Sequence, residues 1–202
     1  MAQTAQPQVQ AHAEGVADRA DPRWLRLQEM IREHSLKTGA FTLSSGARSS
    51  YIFQLRQTTL LPEGAALIGG IIVEYMKRLE IASIGGLEMG AVPIVAAVAA
   101  MSHLKNYPVG AFFVRKEQKA HGARERIDGH LRGGEVLVVD DVATTGGSIL
   151  KAIEGMMSEC PLARVHRALV VVDREVGAAE NLARHGIKLA AILKRSDFPG
   201  IS

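Results

Sequence analysis

Residues 136–148, Val-Leu-Val-Val-Asp-Asp-Val-Ala-Thr-Thr-Gly-Gly-Ser, restrict what this chain can fold into more than any other stretch. Four consecutive aliphatics predict a strand buried on both faces, as in a parallel sheet. The strand is expected to end on the adjacent acids Asp140 and Asp141. A small-residue turn follows, closed by Ser148, and a helical pattern starts at Ile149. Backbone N–H groups at such a helix N-terminus, with the helix dipole behind them, favour a phosphate. An ordinary strand–turn–helix with solvated acids is the competing reading, so the remainder of the chain has to discriminate.

That remainder alternates strand and helix. Asp21 and Pro22 predict a helix start, an N-cap acid followed by proline at the first helical position, with Trp24, Leu27 and Ile31 at helical spacing to about His34. Trp24 is expected in the core. Residues 41–46 and 51–56 read as a pair of short strands with the turn at Gly46. Pro62 opens a helix carrying Ile68, Ile71, Ile72, Tyr75 and Leu79, in which Gly69 and Gly70 each cost about 1 kcal/mol relative to Ala. Close approach of a neighbouring element would explain them. Then come a strand at 81–85, a turn at 85–90, a helix at 91–104, a strand at 109–114 and a polar, aperiodic segment at 116–134. The 136–148 unit and its helix reach to about Cys160; a strand at 164–172, a helix at 178–185 and a strand at 187–193 complete the chain. This order predicts an α/β fold with a doubly wound, largely parallel sheet and right-handed crossovers. Ligands of such sheets sit at the carboxyl ends of the strands, where Gly86 to Gly90, Arg115 and Lys116, Asp140 and Asp141, and Asp173 and Arg174 all fall.

The organisation expected is one domain over 21–202, with hood-like helix and strands at about 21–60, and a mobile tail at 1–20 where Ala, Gln and polar residues lack any period. A single cysteine, Cys160, excludes an internal disulfide and suits a reducing compartment. No apolar run approaches the ~20 residues of a membrane span, and the N-terminus lacks a signal-peptide pattern, so the expected location is the cytoplasm. A formal charge of +3 is too mild to argue for nucleic acid. Neither nucleic acid nor membrane is expected as a partner.

The chemistry narrows by exclusion. There is no P-loop pattern, no dinucleotide fingerprint after a strand, no zinc spacing and no Gly-x-Ser-x-Gly elbow. Thr144, Thr145, Gly146, Gly147 and Ser148 can surround one phosphate monoester. Asp140 and Asp141 would repel that phosphate and are better suited to sugar hydroxyls or to positive charge on a sugar carbon. A phosphosugar reacting through an oxocarbenium-like transition state would use both halves.

With these residues in view, residues 136–148 resemble the PRPP-binding signature of the type I phosphoribosyltransferases. Residues 41–46 with Ser49, Ser50 and Tyr51, then 86–91, then 113–122 (Phe-Val-Arg-Lys-Glu-Gln-Lys-Ala-His-Gly) resemble the orotate phosphoribosyltransferases in order and spacing. The similarity covers roughly residues 24–195. It implies joining of orotate to PRPP, giving orotidine 5′-monophosphate and pyrophosphate in pyrimidine biosynthesis, with Mg²⁺ carried on PRPP and no direct protein ligand to the metal. It further implies that Ala143, Thr144, Thr145, Gly146, Gly147 and Ser148 hold the 5′-phosphate, with Val142 also in contact with PRPP, while Asp140 and Asp141 hold the ribose hydroxyls and act in catalysis. Arg115, Lys116, Lys119 and His121 would meet the departing pyrophosphate, Lys119 and His121 catalytically, from a loop shared across a homodimer. Thr144 and Arg174 would contact orotate. Arg56, Glu88, Met89 and Gly90 are further candidates on the PRPP side. The chain departs from the family pattern at Ser44, where lysine is frequent, and at Gln54, where aspartate is common; Arg56 stands where many relatives carry lysine. A purine- or uracil-specific relative and a non-catalytic PRPP-sensing regulator are the alternatives. The basic segment argues against the first, and the absence of a helix-turn-helix against the second.

Overall fold

The computed structural model describes residues 15–42, 46, 48–117 and 126–201. Helix α1 (Pro22–Met30) starts as expected, with the Asp21 carboxylate accepting from the Arg23 N–H at 2.8 Å, and continues into a π-helical turn at Ile31–Ser35. Trp24 is buried and donates its indole N–H to Ile192 O at 2.6 Å. Strands β1 (Leu36–Thr42) and β2 (Arg48–Phe53) form an antiparallel pair. The second strand stops earlier than the sequence suggests. Arg56 opens a short helix, α2 (Arg56–Thr59), because the Leu55 backbone is already helical.

Helix α3 (Pro62–Arg78) leads to β3 (Ser83–Gly85), α4 (Ala91–Leu104) and β4 (Gly110–Val114). The polar, aperiodic segment contains a strand, β5 (Ile127–Gly129), antiparallel to β4. Three residues are too few for period-2 alternation to register. There follow β6 (Gly134–Ala143), α5 (Gly147–Glu159), β7 (Ala163–Asp173), α6 (Ala178–Ala183) and β8 (Lys188–Lys194), then a 3₁₀ turn at Arg195–Asp197. Asp140 and Asp141 lie inside β6, not at its end, because pairing with β7 runs on to Ala143 opposite Asp173.

The six-stranded sheet has the order β5-β4-β3-β6-β7-β8, parallel except at β5. Its two faces explain the aliphatic runs. Leu137, Val139, Leu169 and Val171 belong to the core beneath α1, α3 and α4; Val136, Val138, Ala168 and Val170 belong to the core beneath α5 and α6. A strand that alternates between two cores is apolar at every position. The chain leaves β3 for β4 on one side and returns to β6 on the other. That reversal opens a crevice at the carboxyl ends of β3 and β6, the place where ligands enter sheets of this kind.

Residues 15–20, expected in a mobile tail, are anchored at Val16 and Arg19. Val16 is buried in the first core, Arg78 Nη2 donates to the Gly15 and Val16 carbonyls at 2.8 and 2.9 Å, and Arg19 pairs with Asp197 at 2.7 Å. Val16 supplies the apolar anchor that composition averaged away. Residues 1–14 lie outside the described residues. Among the described residues, no helix is long and apolar enough to cross a membrane.

The glycine pair in α3 separates cleanly. A Cβ on Gly69 would lie 2.9 Å from both Ala97 O and Met101 Cγ of α4, whereas one on Gly70 would meet atoms no closer than 3.6 Å. Gly69→Ala is expected to destabilise the protein by about 1–3 kcal/mol through overpacking, and Gly70→Ala to stabilise it by about 1 kcal/mol through helix propensity. Urea unfolding of the two variants checks the opposite signs.

Candidate active site

Two adjoining cavities occupy the crevice. One, of about 280 Å³, is lined by Arg56, Leu87, Glu88, Met89, Gly90, Lys116, Asp140, Asp141, Val142 and Ser148. The other, of about 240 Å³, is lined by Asp140, Val142, Ala143, Thr144, Thr145, Gly146, Gly147, Ser148, Ile149 and Lys151. They share Asp140, Val142 and Ser148, so the acids and the small-residue turn face one continuous space.

The second cavity is the N-terminal end of α5. Gly146 caps the helix with a left-handed φ of 80°, and Asn181 Nδ2 pins the turn by donating to Thr145 O at 2.7 Å. Thr144, Thr145 and Ser148 remain exposed. Hydroxyls and free helix N–H groups thus converge on a space that suits an anion. Lys151 adds a cation from the first turns of α5, a residue that its spacing within a helical pattern did not single out.

Across the crevice, the turn after β3 is held to β4. Val114 N donates to Gly86 O at 2.8 Å, and Glu88 N to Val114 O at 2.9 Å. The Glu88 carboxylate accepts from Lys116 N at 2.8 Å, so Glu88 ties down the start of the basic segment as well as lining the cavity. Gly90 is required for closeness. A Cβ there would stand 2.4 Å from Asp140 Oδ1 and 2.6 Å from Asp141 Oδ1. The β3 turn therefore packs directly against both acids.

Asp140 is buried, and its carboxylate accepts from Asp141 N at 2.9 Å; the Asp141 carboxylate accepts from Val142 N at 2.9 Å. Burial, reinforced by the Asp141 charge, pushes the Asp140 carboxyl up to about 8, with Lys116 pulling weakly the other way. This acid pair has too little positive charge near it in the free protein. It is suited to a ligand that brings hydroxyl donors, a metal or a developing cation.

Arg174 follows β7 and is buried. Its backbone N–H donates to Ala143 O at 3.0 Å, placing it beside the small-residue turn before α5. The guanidinium lies 4.6 Å from the Tyr51 ring centroid, and Nη2 donates to Ser49 Oγ at 3.1 Å. Its Nε is buried without a partner, and among the described residues no carboxylate pairs with it. Neither Asp173 nor Glu175 forms the neighbouring salt bridge that would have made Arg174 merely structural: Asp173 accepts from Glu175 N, and Glu175 faces Arg195 and Ser196. A buried guanidinium with an unmet donor, stacked on an aromatic face, fits a planar anion.

The basic segment is only partly described. Lys119 and His121 lie outside the described residues, as does Ser44. Lys116 lines the first cavity, but Arg115 does not; it pairs with Asp128 across the β4–β5 ribbon and lies 5.7 Å from the Phe113 ring. The two ends of the segment are joined by Arg115 N to Arg126 O at 2.7 Å and by the Arg126 guanidinium to Arg115 O, while Glu159 on α5 accepts from Arg126 N and Ile127 N. Arg126 and Glu159 are far apart in sequence, and no local pattern links them. Ser49 and Tyr51 were visible as a motif, but their contact with Arg174 arises only from the fold.

Known proteins resemble this chain over most of its length. Residues 57–191 match the phosphoribosyl transferase domain family. An orotate phosphoribosyltransferase of Rhodopseudomonas palustris is 44% identical over 178 residues, 86% of this chain and 94% of the relative. The crystal structure of orotate phosphoribosyltransferase from Mycobacterium tuberculosis in complex with Fe(III) dicitrate superposes with a TM-score of 0.75 at 37% identity, covering 87% of this chain and 98% of that one. The same enzyme in complex with PRPP superposes with a TM-score of 0.68 at 31% identity, covering 88% and 92%.

Proposed function

The chain belongs to the orotate phosphoribosyltransferases of the phosphoribosyl transferase domain family, and from that premise we propose how its own residues divide the reaction. The enzyme transfers the phosphoribosyl group of PRPP to orotate, giving orotidine 5′-monophosphate and pyrophosphate in pyrimidine biosynthesis. A bond forms between an orotate ring nitrogen and the anomeric carbon, and the bond from that carbon to the pyrophosphate oxygen breaks.

The observation that carries the assignment of roles is the sharing of Asp140 and Ser148 by the two cavities. A ligand with its 5′-phosphate among Ala143, Thr144, Thr145, Gly146, Gly147 and Ser148 has its ribose beside Asp140 and Asp141. Those carboxylates accept from the ribose hydroxyls and stabilise charge that develops on the anomeric carbon, an interaction stronger in the transition state than before it. The diphosphate then extends toward Arg56, Lys116 and the turn of Glu88, Met89 and Gly90. Lys119 and His121 add positive charge to the leaving group. Arg174 takes the orotate carboxylate with its planar fork, and Thr144, beside Ala143, completes the base side.

Mg²⁺ carried on PRPP is the cofactor that the family resemblance implies. Among the described residues, no group of three or more His, Cys, Asp or Glu could hold a metal ion by itself. The acid pair, crowded with negative charge, suits Mg²⁺ that would arrive on the oxygens of PRPP, where it would neutralise charge on the departing pyrophosphate. The protein works as a homodimer in the cytoplasm, with the basic segment of each subunit serving its partner's site; the resemblance of residues 113–122 to the family pattern supports this reading, and sedimentation with and without PRPP tests it.

The direct assay follows loss of orotate absorbance with PRPP and Mg²⁺. Turnover with a purine or uracil in place of orotate, and none with orotate, would overturn the acceptor. Binding of PRPP without any turnover would point instead to a regulator.

A further inference from the structure

Arg174 is held from two sides, and the two sides meet at the C-terminal turn. On the backbone side stands Glu175, whose φ of 57° is left-handed, an uncommon conformation for a residue with a Cβ. Its N–H donates to Asp173 Oδ1 at 2.9 Å. Its carboxylate accepts from Ser196 N at 2.8 Å and from Ser196 Oγ at 3.1 Å, with Arg195 Nε 3.8 Å away. These bonds join the end of β7 to the 3₁₀ turn after β8.

On the side-chain side, the Arg174 guanidinium rests on Tyr51. Tyr51 meets Phe53 edge-on at 5.6 Å, and Phe53 meets Phe198 at 5.2 Å. Phe198 is buried and directly follows the 3₁₀ turn that Glu175 grips. The contacts therefore close a ring that runs from Arg174 through Tyr51, Phe53, Phe198 and Ser196 to Glu175 and back.

We propose that Glu175 is a positioning residue for orotate: by clipping the Arg174 turn to the turn that supports the aromatic platform, it fixes the direction of the Arg174 guanidinium. The proposal rests on the assignment of Arg174 to the orotate carboxylate. Glu175 itself lines neither of the two cavities. Without the clip, the left-handed turn is free to relax, and rotation at residue 175 swings the adjoining Arg174 off its platform.

The test is steady-state kinetics on the full chain with Glu175→Gly, Glu175→Gln and Arg174→Met. Glycine accepts the left-handed backbone without strain, so Glu175→Gly removes the clip and little else. Its KM for orotate is expected to rise about tenfold, equivalent to about 1.4 kcal/mol, with kcat and the KM for PRPP within about twofold of wild type. Glu175→Gln keeps an acceptor for Ser196 N–H and is expected to restore most of the orotate KM. Equal rises in both KM values, or a fall in kcat at unaltered orotate KM, would overturn the proposal. Arg174→Met separates the two layers. An unchanged orotate KM in that variant removes the underlying role of Arg174, whereas a raised one beside an unaffected Glu175→Gly removes the role of Glu175 alone.

Discussion

Arg174→Met is expected to lower kcat/KM for orotate by about a hundredfold or more, because truncating one partner of a buried charge pair costs about 2–5 kcal/mol. Affinity for PRPP should change far less. The free protein should be as stable as wild type or more so, since the guanidinium is buried with an unpartnered Nε and no carboxylate beside it. Replacing such a charge by an apolar side chain of similar length is neutral or favourable. Kinetics paired with thermal unfolding distinguish the roles. A loss of stability equal to the loss of activity would make Arg174 a strut between β7 and the β1–β2 hood. Arg174→Lys should recover little, because a point charge on a flexible stem cannot reproduce a fork stacked on Tyr51.

Asp140→Asn should reduce kcat about a hundredfold, the scale of losing one preorganised electrostatic group opposite transition-state charge. It should also stabilise the free protein in a pH-dependent way. The folded pKa of about 8 lies above the ordinary 3.8. Between those values the native state holds a proton that the unfolded chain has released, so wild-type stability falls as pH rises, by at most about 1.4 kcal/mol per pH unit. The Asn variant lacks this slope, and its advantage should grow from pH 5 to pH 8. Wild-type kcat/KM for PRPP should rise over the same interval as the carboxylate ionises. Urea midpoints across pH, measured for both proteins, check the linkage. A parallel pair of stability curves would mean that Asp140 is already ionised at neutral pH in the free enzyme.

The legible part of the fold was its alternation. Aliphatic runs such as 136–139 and 168–172 must be buried on both faces, and that alone demands helices above and below a parallel sheet. The small-residue turn was legible for a related reason, since its N–H groups and hydroxyls come from consecutive residues at one helix start. The strand β5 was not, being three residues long and paired only because β4 lies beside it. The packing of Val16 escaped because one apolar residue in a polar stretch has no period.

Local order along the chain was sufficient to establish the sheet, the small-residue turn at the start of α5 and the acid pair, because each depends on neighbours within a few residues. Three features were decided by tertiary structure alone. Gly90 approaches Asp140 and Asp141 only because β3 and β6 are adjacent at the point where strand order reverses. Arg115 turns to Asp128 because β5 returns beside β4. Arg174 meets Tyr51 and Ser49 only when the hood folds over the end of β7. Burial and charge pairing depend on distance in space, and residues separated by a hundred positions acquire that distance only when the chain closes on itself.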